Sequence, residues 1–236
     1  MSFLSGTDMI GGYGGSPILN GCTISVGRGE IAVVVGPNGA GKSTAMKAIA
    51  GMLDLTSGDV VLDGNSITTL PTQKRVKAGM AFVPQNNNIF PTMTVRENLD
   101  MGALLSRDTA AQTMKEVFDL FPILAEKRKQ IAGQLSGGQR QQLAMGRTLM
   151  TRPTALMLDE PTAGVSPNVM DEMFEKIRGV AELGLAVLIV EQNAASALEV
   201  ADIGYVLVEG RNRFTGSGQD LLNDPETRRS FLGAHS

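Results

Sequence analysis

"EIAVVVGPNGAGKST", residues 30–44, decides the fold. Its first part, "EIAVVVG" (30–36), is a short apolar run rich in valine, the mark of a strand buried on both faces. From its last two residues the chain runs on as "STAMKAIAGML" (43–53), which has the composition of a helix. Between strand and helix, "GPNGAGKST" (36–44) fits G-x-x-x-x-G-K-[ST], with Gly36, Gly41, Lys42 and Ser43 in the required places. Glycines let such a loop wrap so that successive backbone N–H groups point inward at phosphate oxygens. The helix adds its positive N-terminal end. Lys42 supplies a mobile charge for the outer phosphates of a triphosphate, and Ser43 an oxygen for Mg²⁺. Pro37, Asn38, Gly39, Ala40 and Thr44 complete the expected cradle. Strand before and helix after are the context this mechanism needs, and both are present.

Outward from that stretch, short apolar runs alternate with helical segments, as in an α/β protein with a largely parallel sheet. "SGDVVLDG" (57–64) and "GMAFVPQ" (79–85) read as strands, the second stopped by Pro84. From Thr94 the character changes. "TVRENLDMGALL" opens with Thr94 and Glu97 in capping-box spacing, and "DTAAQTMKEVFDLF" continues with helical periodicity. This predicts a helical insert over roughly 86–150 within one 236-residue domain. Strand and helix then alternate again through "TALMLDE", "PNVMDEMFEKIRGVAELG", "LAVLIVEQ", "AASALEVA" and "IGYVLVEG". The first 30 residues and 57–70, poor in helical pattern, are expected to form an antiparallel side sheet.

Composition narrows the function classes. Hydrophobic residues make up 42% and charged residues 19%, which fits a globular chain. A net charge of −3 argues against a nucleic-acid binder, which usually carries a basic footprint. One cysteine, Cys22, leaves no disulfide framework and no thiolate metal site. No apolar run approaches the roughly 18 residues needed to span a bilayer. The opening "MSFLSGTDMI" lacks the pattern of a secretory signal, so a soluble intracellular chain is expected. The only histidine is His235, so chemistry in the body of the fold proceeds without an imidazole.

Two further stretches carry chemistry. "TALMLDE" (154–160) is a strand ending in two carboxylates. At the carboxyl end of a strand beside the phosphate loop, Asp159 can hold the water shell of Mg²⁺. Glu160 would lie where it can orient a water in line with the γ-phosphate. "LSGGQ" (135–139) precedes another helix. Ser136 and Gln139 have the spacing of a capping box. Equally, Gly137 and Gly138 at a helix start would make a second anion cradle. Two phosphate-binding helix starts in one chain suggest that two copies share a nucleotide.

"GPNGAGKST", "LSGGQ" and "LMLDEP", in this order, resemble the ATP-binding subunits of ABC transporters over essentially the whole chain. The resemblance implies ATP and Mg²⁺ as cofactors and head-to-tail packing with a second ATPase subunit, another copy or a relative. Ser136, Gly137, Gly138 and Gln139 of one subunit would then face the γ-phosphate held by Lys42 of the other. It also implies that Gln85 touches Mg²⁺ and senses a membrane subunit, and that Tyr13 in "GGYGG" stacks on adenine. In this family the strand after "LMLDE" usually ends in a histidine that bonds the γ-phosphate. Here the matching residue is Gln192, in "LIVEQN" (188–193). An amide can donate from its NH₂ group without titrating near neutral pH. The alternative is that Gln192 only caps the helix starting near Asn193. The expected catalytic set is therefore Lys42, Glu160 and Gln192, with Ser43, Gln85 and Asp159 at the metal.

The segment "PTAGVSP" (161–167) departs as well: many relatives have an Asp after Ala-Leu, and Pro167 stands at about that place. Both departures, with "VFDLFPIL", "AMGRTLM", "VEQNAASAL" and the closing "FLG", resemble the branch serving high-affinity uptake of branched-chain amino acids. That branch implies two membrane permease subunits, an external solute-binding protein, and a peripheral place on the cytoplasmic face of the inner membrane. "NNNIFPTM", near Gln85–Val95, is the expected contact with the permease. Three other readings stand beside it: an exporter ATPase of the lipopolysaccharide type, a soluble ABC ATPase acting on nucleic acid, and an ATP sensor without turnover.

Overall fold

The structure, a computed structural model, describes residues 2–14 and 16–231; Met1, Gly15 and 232–236, with His235 and the end of "FLG", lie outside them. Strands β1 (Leu4–Tyr13) and β2 (Ser16–Val26) form a hairpin, followed by β3 (Ile31–Val35) and helix α1 (Lys42–Ile49). Next come β4 (Leu55–Leu62), β5 (Asn65–Ser66), α2 (Thr72–Lys77) and β6 (Met80–Val83). Helices α3 (Val95–Gly102), α4 (Ala110–Leu120), α5 (Pro122–Glu126) and α6 (Gly137–Leu149) come after it without an intervening strand. The chain then returns to alternation with β7 (Ala155–Asp159), α7 (Pro167–Glu182), β8 (Ala186–Val190) and α8 (Ala194–Glu199). It ends with β9 (Ile203–Val208), β10 (Arg211–Gly216), α9 (Gly218–Asn223) and α10 (Pro225–Phe231).

The strands make two sheets. The larger has the order β10-β9-β3-β8-β7-β6, parallel except for the edge strand β10. The smaller, β2-β1-β4-β5, is antiparallel. Every residue of β3, β7 and β8 is buried, because helices or the second sheet cover both faces. Their alternation sorts side chains into two cores. Ile31, Val33 and Val35 join Leu156, Leu158, Val187 and Ile189 on the face that meets helices α3 to α6. Ala32 and Val34 join Met157 and Leu188 on the face that meets α1 and the antiparallel sheet.

Helix α1 is shorter than its sequence predicts, ending at Ile49 rather than near Leu53. Gly51 turns the chain out of the helix at φ 73°. The buried Arg75 seals that end, donating from Nη1 to the carbonyls of Ala48 (3.0 Å) and Ile49 (2.7 Å). A guanidinium at a helix C-terminus satisfies carbonyls that have no partner within the helix. Arg75 thus fixes the far end of the helix whose near end carries Lys42. Thr94 caps α3 through the anticipated box: Glu97 N donates to its hydroxyl, and Thr94 N donates to the Glu97 carboxylate at 2.7 Å.

Candidate functional site

Parallel strands place their carboxyl ends along one edge of the sheet, where an α/β fold binds its ligands. In register, Val34 of β3 lies beside Val190 of β8, and Val190 beside Asp159 of β7. Gly36–Lys42, Glu191–Gln192 and Asp159–Glu160 therefore emerge side by side. The loop after β3 can turn only with glycine at its first position. Gly36 has φ 147°, and a Cβ there would lie 2.2 Å from the Leu207 carbonyl oxygen. Gly41 opens α1 at φ 96°, against Leu19 of β2. Gly39, at φ 81°, has nothing within 4 Å of where a Cβ would be, so the loop keeps an open bowl there.

Lys42 is 6% exposed, and its Nζ donates to the carbonyls of Gly36 (2.8 Å) and Pro37 (3.1 Å). Burial lowers its pKa, and Glu160 and Asp159 oppose that shift. The Ser43 hydroxyl donates to Oδ1 of Asp159 at 3.0 Å. Two hard oxygens side by side, beside a phosphate cradle, suit Mg²⁺, which takes one or two protein oxygens and completes its shell with phosphate and water. A larger cluster is not on offer: among the described residues no group of three or more His, Cys, Asp or Glu could hold a metal.

Glu160 follows β7 in the left-handed region, at φ 48°, with its N–H donating to the Val190 carbonyl at 2.8 Å. The Gln85 amide Nε2 donates to the Glu160 carboxylate. Gln192 reaches the phosphate loop: its Nε2 donates to Oδ1 of Asn38 at 3.0 Å. It does not cap α8. That task belongs to Asn193, whose side chain accepts from Ser196 N. Tyr13 is half exposed at the end of β1, on the hairpin whose other strand packs against Gly41 through Ile18 and Leu19. Ser136 caps α6 through the expected box with Gln139. That helix start opens into a groove shared with Val169 and Glu172 of α7.

Three polar residues of this region carry no motif in the sequence. Asn88, buried, donates from Nδ2 to Oε1 of Gln141 at 2.8 Å and so ties the segment after Gln85 to α6. Asn98, fully buried, exchanges hydrogen bonds with the Phe90 backbone in both directions. Glu191 is 2% exposed and accepts from Thr162 and Gln192. Burial pushes its carboxyl up, with Glu160 adding to the rise, against the pull of those three donors. A run of three asparagines signals Asn88 and an acid ending an apolar strand signals Glu191; nothing comparable marks Asn98.

Residues 19–163, more than half of the chain, match the ABC transporter family. The chain belongs to that family. It is an ABC-type ATPase and a nucleotide-binding subunit. It is 39% identical over 222 residues to the "High-affinity branched-chain amino acid transport ATP-binding protein BraG" of Pseudomonas aeruginosa, covering 94% of this chain and 95% of that one. It is 41% identical over 224 residues to the "Probable branched-chain amino acid transport ATP-binding protein LivF" of Archaeoglobus fulgidus, with the same coverage. The "Lipopolysaccharide export system ATP-binding protein LptB" of Haemophilus influenzae is 31% identical over 99% of this chain and 98% of its own length. Among solved structures, the ADP conformation of MJ1267, an ATP-binding cassette of an ABC transporter, superposes with a TM-score of 0.89 at 28% identity, over 99% of both chains.

Proposed function

We propose that this chain hydrolyses ATP to drive an importer of branched-chain, hydrophobic amino acids from the cytoplasmic face of a membrane. The observation that carries the chemical part is the convergence at one sheet edge of two contacts to the phosphate loop, Ser43 to Asp159 and Gln192 to Asn38, with Gln85 bonded to Glu160 beside them. Lys42 and the N–H groups of residues 36–44 bind the phosphates. Ser43 and Asp159, with Gln85, hold Mg²⁺ or its water shell. When bound, Mg²⁺ neutralises charge on the β- and γ-phosphate oxygens. Glu160 orients the attacking water and takes up its proton. Gln192 donates an N–H to the γ-phosphate, and Tyr13 stacks on the base. Ser136, Gly137, Gly138 and Gln139 of a second ATPase subunit close the site from the other side.

Among the described residues no helix is long and apolar enough to cross a membrane. Two permease subunits would supply the path, and an external solute-binding protein would deliver the amino acid. The importer reading is supported by the 39% and 41% identities to BraG and LivF, against 31% to LptB. Export of a lipopolysaccharide is the second reading, because LptB aligns over 99% of the chain. Deleting the gene in its native host and following radiolabelled leucine, isoleucine and valine separates the two. Loss of uptake is expected. Normal uptake with a defect in the outer lipid layer would favour export.

A further inference from the structure

We infer that Glu191 is a positioning residue for hydrolysis, a buried carboxylate that sets the Gln192 amide against the turn following Glu160. The inference rests on the proposal that Gln192 donates to the γ-phosphate, and goes beyond it. Glu191 leaves the end of β8 between two strands, with its own N–H donating to the Val34 carbonyl at 3.1 Å. Its Oε1 accepts from the Thr162 N–H at 2.9 Å and from the Thr162 hydroxyl at 2.7 Å. Its Oε2 accepts from the Gln192 N–H at 3.0 Å. One side chain thus joins the residue that approaches the phosphate loop to the residue two places after Glu160.

The anchor end is itself fixed. Glu160 N is bonded to the Val190 carbonyl, and Ala163 N donates to the Glu160 carbonyl at 3.1 Å, which closes a tight turn over 160–163. Glu191 holds the backbone of Gln192 against that turn, and from there the Gln192 side chain spans to Asn38. The cluster suits a carboxylate. Three donors converge on its two oxygens, two on Oε1 and one on Oε2, and a carboxylate meets them with acceptors alone. Glutamine in this place would set an NH₂ group against either the Thr162 N–H or the Gln192 N–H. The charge is costly, because burial and the neighbouring Glu160 both disfavour it. A group that served only to fill the strand end would be met by a neutral or apolar residue at less cost.

The test is steady-state ATP hydrolysis in the native complex purified through this chain. Misplacing a reacting group by about 1 Å can cost about 100-fold. Glu191→Gln is therefore expected to lower kcat by up to about 100-fold while KM for ATP changes little. Thr162→Val, which removes one donor of the cluster, should lower kcat in the same direction, and Thr162→Ser should restore it. In the Gln192→Ala background, Glu191→Gln should cost nothing more. Parent-like kcat in Glu191→Gln, or losses that add in full to those of Gln192→Ala, would overturn the inference while leaving the role of Gln192 standing. A parent-like Gln192→Ala would instead remove both. If Glu191→Gln does not fold, the contrast between Thr162→Val and Thr162→Ser decides the matter.

Discussion

Helices α1 and α6 both start among glycines in a motif suited to phosphate, yet they are built differently. Gly41 brings no side-chain oxygen to α1, so the first N–H groups meet no capping competitor within that residue. Ser136 does cap α6, accepting from Gln139 N at 3.3 Å. A hydroxyl that accepts still has a proton to donate. We read the first start as one that wraps an anion with backbone; under the proposed shared site, the second would present one oriented hydroxyl and two glycines to an anion brought by another subunit. The glycines differ too. A Cβ on Gly138 would lie 2.4 Å from Val169 of α7, so its own chain demands glycine. A Cβ on Gly137 would meet nothing nearer than 4.0 Å, so nothing in this chain explains that glycine. Under the proposed shared site, an incoming surface would.

The largest effect is expected on the α1 side. Lys42→Ala removes the main cation facing the outer phosphates and should abolish productive ATP binding, read as affinity and turnover. Unchanged values would break the assignment of α1 as the phosphate helix.

Next in size is the bridge from Gln192 to that loop. Gln192→Ala should slow kcat by up to about 10²–10³, the loss usual for one preorganised donor, with little change in KM. Gln192→His should keep substantial activity and acquire a pH dependence near the free imidazole pKa of about 6.5. Parent-like turnover in Gln192→Ala would reduce its contact with Asn38 to a structural one.

The α6 side should yield smaller effects that separate stability from function. Gly138→Ala forces a methyl into Val169 and should destabilise the fold by about 1–3 kcal/mol, seen as a lower Tm. Gly137→Ala should leave Tm unchanged and weaken only ATP-dependent association. Equal Tm losses in the two variants would erase the contrast between them. Ser136→Ala should cost about 1 kcal/mol through the lost cap.

Those parts of the molecule that depend on near neighbours were legible in the sequence. The strand and loop over 30–44, the boxes at Thr94 and Ser136, and the acidic strand end at Asp159 each declare themselves within a few residues. The antiparallel side sheet was legible by the absence of helical pattern in its segments. What failed to show was set at long range. Arg75 ends α1 from 27 residues away, and Asn88 meets Gln141 across 53. Glu191 meets Thr162 across 29, and no spacing rule links a strand end to a turn on the neighbouring strand. Strand β10 and helices α9 and α10 went unread because "RNRFTG" is half exposed and the helices are only six and seven residues long.

If one subunit's α6 start completes the nucleotide site of another, a subunit that binds ATP without hydrolysing it should be trapped as a pair. Glu160→Gln should do this, holding the nucleotide between Lys42 of one subunit and Ser136–Gly138 of the next. Sedimentation velocity of this variant, alone and with the partner ATPase from the native complex, measures that directly. A two-ATPase species that forms with ATP and Mg²⁺, dissolves with ADP, and fails when Gly137→Ala is added is the predicted result. A species that ignores ATP in both mixtures would contradict the shared site.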